Sequence, residues 1–271
     1  IACEVTMQPI KAFDMDAAII FADILLPLPG MGINLEFAKG DGPVIHNPVR
    51  TKKDIEAIRV INPEEDVPYL LKAIKLAKKE LNDRIPLIGF SGAPFTLASY
   101  LIEGGGSRNY VHTKSLMYNE PELWHKLMAK ITDVITVYLK AQVASGVDVV
   151  QVFDSWAGCL SPGDYREFVL PYTKKVVQSV RDSVPVINFS TNTGTYLDVV
   201  RQAGGDVIGI DWKVRLDTAW KTIGYEFAIQ GNIDPTILFA PRVEIRKRVK
   251  EILDMAGGRP GHIFNLGHGI I

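Results

Sequence analysis

Cysteine is scarce. Cys3 and Cys159 are the only two in 271 residues, and they form no C-x-x-C pair. A disulfide framework and a cysteine zinc knuckle are both excluded, and a reducing compartment fits. Long apolar runs are missing too. The longest stretch, around Ala17–Met31, is interrupted by Asp23, Pro27, Pro29 and Gly30, well short of the ~18–20 apolar residues of a membrane span. Neither charge sign dominates: 30 lysines and arginines face 31 aspartates and glutamates, a net of −1. A chain without a basic field has no general affinity for nucleic acid, so any anionic ligand must meet locally placed cations. No Pro-, Gly- or Ser-rich linker and no low-complexity tract divides the chain, which reads as one domain over residues 1–271.

What is present is a recurring alternation. Hydrophobic residues make up 47% and charged residues 23%, the balance of a globular domain and not of a disordered one. Short β-branched runs recur at Ala18–Leu25, Pro86–Phe90, Val147–Phe153, Val184–Phe189, Val207–Asp211, Phe227–Gly231 and His262–Leu266. Near-continuous apolar runs of this length suit strands buried on both faces of a parallel sheet. Ile33–Phe37 alternates and is a weaker eighth candidate. Helical patterns lie between them at Val67–Leu81, Pro121–Ser145, Asp164–Ser183, Tyr196–Ala203, Leu216–Ile223 and Val243–Met255. Ser161-Pro162 and Asn119-Glu120-Pro121 mark helix starts. Gly146, Gly204-Gly205 and Gly257-Gly258 mark stops. Eight strands with intervening helices in roughly 250 residues predict an α/β fold, a (β/α)8 TIM-type barrel. A doubly wound open sheet is the alternative. The first connection, Leu26–Gly32, is too short for a helix, so the barrel is expected to be irregular there. Only Gly267–Ile271 follows the last strand, and the closing helix is expected to be missing.

In such a barrel the chemistry gathers at the C-terminal ends of the strands. The polar residues there are Asp23, Ser91, Asp154-Ser155, Ser190-Thr191, Asp211, Asn232, Asp234 and His268. Asp23, set in an apolar stretch, reads either as a turn cap or as a buried anion at the barrel mouth. His268 lies between Gly267 and Gly269, which leave its imidazole room. Ser155 has no basic residue near it in sequence and suits hydrogen bonding better than nucleophilic attack. Tyr100 is by spacing an ordinary helical aromatic. His46, His112, His125 and His262 lack this context. Glu103–Arg108 holds three glycines and could cradle a phosphate, or be a plain loop; it matches neither Walker A nor G-x-G-x-x-G.

The motifs are specific enough to name a family. Gly89–Gly104 (GFSGAPFTLASYLIEG) resembles the long signature of the uroporphyrinogen decarboxylases. Ala17–Leu25, Val152–Gly158, Gln230–Pro235 and Asn265–Gly269 resemble four further segments, in the family's order. The resemblance implies a cofactor-free, metal-free carboxy-lyase of haem biosynthesis. Such an enzyme converts the four acetate side chains of uroporphyrinogen to methyls, giving coproporphyrinogen and CO2. It also implies a cytosolic homodimer on a (β/α)8 barrel. By motif match Asp23 binds the pyrrole N–H groups and assists catalysis, while Tyr100, Ser155 and His268 contact substrate. The family's N-terminal arginine-bearing segment, resembling R-Q-A-G-R, would lie before Ile1. The expectation is therefore a barrel short of both terminal segments, with Arg108, Lys213 and Arg215 as the remaining cations near the mouth. Two rivals are a zinc-dependent corrinoid or thiol methyltransferase of the same superfamily and a non-catalytic porphyrin-binding fragment.

Overall fold

The computed structural model describes residues 1–38 and 42–270. Helix α1 (Ala2–Ala12) precedes a short strand β1 (Ala18–Ile19), and β2 (Leu35–Ala38) and β3 (Gly42–Ile45) follow. Helices α2 (Lys52–Ala57), α3 (Pro63–Asp66) and α4 (Pro68–Leu81) lead into β4 (Leu87–Gly92). Next come α5 (Pro94–Glu103), α6 (Val111–Asn119), α7 (Pro121–Ala144) and β5 (Val149–Asp154). The chain continues through α8 (Pro162–Phe168), α9 (Leu170–Val180), β6 (Val186–Ser190), α10 (Leu197–Val200) and β7 (Val207–Ile210). It closes with α11 (Leu216–Ile223), β8 (Ala228–Ile233), α12 (Arg242–Ala256) and β9 (His262–Leu266).

Seven of these strands form one parallel sheet in the order β1-β4-β5-β6-β7-β8-β9. The order follows the chain without reversal. Successive right-handed crossovers therefore curl the sheet into a barrel, where a doubly wound sheet would reverse direction at a switch point. Among the described residues no ladder joins β9 to β1, so the barrel is open along that seam. Every residue of β6 and β7 is buried, as their unbroken apolar runs require when helices or barrel interior cover both faces.

Helix α7 shows how the outer layer is fixed. Trp124, Leu127, Met128, Ile131, Ile135, Tyr138 and Leu139 recur at three- and four-residue spacing and are all buried. Each such side chain contributes about 1.5–3 kcal/mol by leaving water. Gln142 lies on the same stripe, and its amide is satisfied by the Phe90 backbone, accepting from N–H at 3.0 Å and donating to the carbonyl at 2.8 Å. A buried amide is tolerated only with such partners.

Three sequence expectations need correction. Ile33–Phe37 does not supply an eighth barrel strand; β2 pairs antiparallel with β3 in a separate hairpin, with Leu35 opposite Ile45. The neighbours Glu36 and Phe37 point to opposite faces and both are exposed, which no strand covered on both faces allows. The run Ala18–Leu25 pairs only at Ala18 and Ile19. Beyond them Asp23 Oδ1 accepts a hydrogen bond from Leu25 N–H at 2.7 Å, an Asx-type turn that bends the chain away from the sheet. The helix expected over Asp164–Ser183 is two helices broken at Val169. Pro171 has no N–H for the Glu167 carbonyl, so the ladder cannot run through. The helix starts hold: Ser161 caps α8, its hydroxyl accepting from Asp164 N–H at 3.1 Å, with Pro162 in the first turn.

Candidate active site

Parallel strands wound in one direction leave all their C-terminal ends on one side of the sheet. Asp23 lies in the turn after β1, Tyr100 on α5 after β4, Ser155 directly after β5, and His268 two residues beyond β9. The topology therefore carries all four to the same mouth, although among the described residues none hydrogen-bonds another.

Two sub-groups exist within the mouth. Ser155 and His268 line one cavity of about 310 Å³, together with Phe153, Phe189 and Asn265. His268 is exposed and meets the Trp212 ring edge-on at 6.0 Å between centroids. Its neighbour Gly267 is required there, because a Cβ would collide with the Trp212 backbone nitrogen. Tyr100 and Asp23 form the second group. The Tyr100 ring lies 3.8 Å from the Trp156 ring, tilted by 30°. Burial pushes the Tyr100 phenol above its ordinary value, and the Asp23 carboxylate adds to the shift. Trp156, next to Ser155, links the two groups.

Asp23 itself is exposed, so the buried-anion reading is corrected in favour of the turn cap. The burial of its neighbours Leu25 and Leu28 does not extend to the side chain that caps the turn. One oxygen serves the Leu25 N–H; the other makes no hydrogen bond among the described residues and can accept one from a ligand.

The loop carrying Ser155 is tied from three sides. Thr96 Oγ1 accepts from Trp156 N–H at 3.3 Å. The Thr191 hydroxyl donates to the Ser155 carbonyl at 2.5 Å, and the Tyr196 hydroxyl to the Ala157 carbonyl at 2.7 Å. Asp154 lies under this loop, 1% exposed. Its Oδ1 accepts from the Thr96 hydroxyl at 2.8 Å, and its Oδ2 has no partner. Burial pushes this carboxyl up to about 7, against a small opposing effect of the Thr96 hydrogen bond. Its position after a strand was legible in the sequence, but its burial was not: nothing in Phe-Asp-Ser-Trp says that the aspartate turns inward.

The other candidates resolve physically. The glycine run at Gly104 is the left-handed cap of α5, φ 88°. It sits at a helix C-terminus, where the dipole is negative, so the phosphate-cradle reading is corrected. Arg215 pairs with Asp217 at 2.7 Å. Lys213 donates to Asn192 at 2.6 Å and sits 5.4 Å from the Trp212 ring centroid. Arg108 is exposed. His46 faces Glu36 at 2.9 Å, His125 meets the Tyr172 hydroxyl at 2.8 Å, and His262 contacts the Gly231 carbonyl at 3.0 Å. Among the described residues no three His, Cys, Asp or Glu side chains are grouped to hold a metal ion. No described helix is long and apolar enough to cross a membrane.

The class this defines is a TIM-type barrel with polar side chains gathered at its C-terminal mouth. The solved methyltransferase from Methanosarcina mazei has the same fold, with a TM-score of 0.86 over 99% of this chain and 79% of that one, at 20% identity. A putative vitamin-B12 independent methionine synthase from Listeria monocytogenes superposes at 0.64, covering 99% of this chain and 79% of that one, at 12% identity. Sequence goes further. The family model of uroporphyrinogen decarboxylase matches residues 1–271. The uroporphyrinogen decarboxylase of Carboxydothermus hydrogenoformans is 60% identical over 271 residues, all of this chain and 77% of that protein. That of Chloroflexus aurantiacus is 55% identical over 276 aligned positions, all of this chain and 78% of that protein. The chain belongs to the uroporphyrinogen decarboxylase family.

Proposed function

We propose that this chain is a carboxy-lyase of haem biosynthesis that converts uroporphyrinogen to coproporphyrinogen, each of four acetate side chains becoming a methyl with loss of CO2. The observation that carries this reading is the family match over the whole chain, with identity of 60% to a uroporphyrinogen decarboxylase.

The chemistry needs an electron sink. Protonating the pyrrole ring makes it cationic. The bond between the acetate methylene and its carboxylate then breaks, CO2 leaves, and the electron pair flows into the ring. The methylene carbon takes a proton, and the ring gives up the one it had gained. At each acetate one proton replaces one CO2. The substrate's own ring thus does the work for which other decarboxylases use a bound sink.

In this reading the unpaired oxygen of Asp23 accepts hydrogen bonds from pyrrole N–H groups, and its charge lowers the energy of the cationic ring. An exposed carboxylate is hydrated; a ring lying over it displaces that water and strengthens the attraction. Ser155 and His268, which share a cavity, and Tyr100 hydrogen-bond the carboxylates around the ring. The resemblance further supports a homodimer in the cytosol, which sedimentation of the purified protein and fractionation of its source cells would test. For the activity, the purified chain is incubated with uroporphyrinogen under anaerobic conditions and its products are separated by carboxylate number. Stepwise appearance of coproporphyrinogen is expected; unchanged substrate would overturn the proposal.

A further inference from the structure

Among the described residues two carboxyl groups at the mouth, Asp211 and Asp154, are buried and unused by the proposed reaction; both oxygens of Asp211 accept backbone N–H groups, from Asn192 and Lys213, whereas those of Asp154 are not both satisfied. Oδ1 is held by the Thr96 hydroxyl at 2.8 Å, and Oδ2 faces no donor. Thr96 belongs to α5, the helix that carries Tyr100, and also receives the Trp156 N–H at 3.3 Å. Trp156 in turn stacks on Tyr100 at 3.8 Å. One hydroxyl therefore couples β5, the loop after it and α5. We propose that Asp154 is a positioning residue: acting through Thr96, it holds Trp156, and with it Tyr100 and Ser155, in the geometry that meets the substrate. This rests on the reading of Tyr100 and Ser155 as substrate-contacting groups.

The geometry favours a neutral carboxyl. A proton leaves one weakly polar group unpartnered; an anion would be left buried with a single hydroxyl to stabilise it. The titratable groups facing it are Tyr110, Cys159, Tyr165 and Tyr196, whose own deprotonation its charge opposes. Burial has raised all four, so they stay neutral where Asp154 titrates. Lys114, whose charge acts on Cys159, donates to the Cys159 carbonyl at 2.6 Å and not to Asp154. Ionisation of Asp154 should therefore draw water in and loosen the Trp156 loop.

The test has a readout independent of activity. The near-ultraviolet circular dichroism of Trp156 is isolated as the difference between wild type and Trp156→Phe. In wild type this signal should change in one step near pH 7, and in Asp154→Asn it should stay flat. Thr96→Val, which lacks the hydroxyl, should weaken the signal and lower kcat/KM by about 10-fold, within the range that small misplacements cost. Thr96→Ser, which keeps the hydroxyl, should restore both. A wild-type signal that is flat through pH 7 would overturn the proposal, as would a folded Thr96→Val protein with wild-type signal and kcat/KM. If Thr96→Val does not fold, Thr96→Ala, which also lacks the hydroxyl but adds no bulk, decides by the same two readouts. A Trp156 signal that behaves as described in a protein forming no coproporphyrinogen would sink the proposed function and leave the positioning of Trp156 standing.

Discussion

Replacing Asp154 by Asn should invert the order of stability between acid and alkaline pH. The carboxyl is raised from its ordinary 3.8 to about 7 by burial. The folded state thus holds this proton more tightly than the unfolded state does. Its contribution is fully present below about pH 3.8, falls as pH rises, and is gone above about pH 7. A difference of that size is worth about 4 kcal/mol. Asn cannot titrate and keeps an oxygen for the Thr96 hydroxyl, but it places an N–H2 where Oδ2 has no partner. The neutral carboxyl leaves one O–H unpartnered and Asn leaves two N–H groups, so the extra donor costs about 1 kcal/mol or more at every pH. The variant should therefore be the less stable protein at about pH 3.5 and the more stable one at about pH 8. Urea unfolding at several pH values between these limits reads the difference, and other titrating groups largely cancel because both proteins share them. Parallel stability curves for the two proteins would refute the reasoning and mean that water or a neighbour solvates Asp154 in the folded state.

Three shorter expectations follow from the same geometry. Gly267→Ala drives a methyl into the Trp212 backbone; it should lower Tm by several degrees and reduce turnover by shifting His268, both measurable on one preparation. Thr51→Ala removes the reciprocal cap of α2, where Asp54 N–H donates to the Thr51 hydroxyl at 3.2 Å; urea unfolding should show a loss of about 0.5–2 kcal/mol. Ser155→Ala takes one hydrogen-bond donor from the cavity shared with His268; steady-state kinetics should show KM raised several-fold, the scale of one hydrogen bond of about 1 kcal/mol.

Particular elements show what the sequence could reveal. β5, β6 and β7 were legible because strands covered on both faces must be apolar throughout, and Val-Val-Gln-Val-Phe or Val-Ile-Asn-Phe leaves no amphipathic helix as a competitor. The barrel followed from their alternation with helices. Helix α5 was legible only as the helical setting of Tyr100, and its extent was hidden for the same reason that it is well packed: Pro94–Ser99, Leu101 and Ile102 are all buried, so it has no wide polar face to give a period. The loss of β1 after Ile19 was hidden because a single Asx turn at Asp23 outweighs the β-branched run around it. The mouth was legible as a set of strand-end positions. How those side chains group was not, because the Thr96 bridge between Asp154 and Trp156 joins residues about 60 positions apart, and no local pattern reports such a contact.

Asp23 carries the central claim, that a fixed carboxylate at the barrel mouth stabilises a cationic pyrrole. Asp23→Asn keeps the size and the oxygen that caps Leu25 N–H, removes the charge, and turns a donor toward pyrrole N–H groups that are themselves donors. Asp23→Glu keeps the charge but moves it by about one methylene. The decisive measurement is kcat for coproporphyrinogen formation by wild type and both variants, with circular dichroism to show that all three fold. The expected result is a loss of about 10²-fold or more for Asn, the scale for removing a preorganised electrostatic group, and a smaller loss for Glu. A folded Asp23→Asn protein with wild-type kcat would contradict the account and leave Asp23 a turn cap and nothing more.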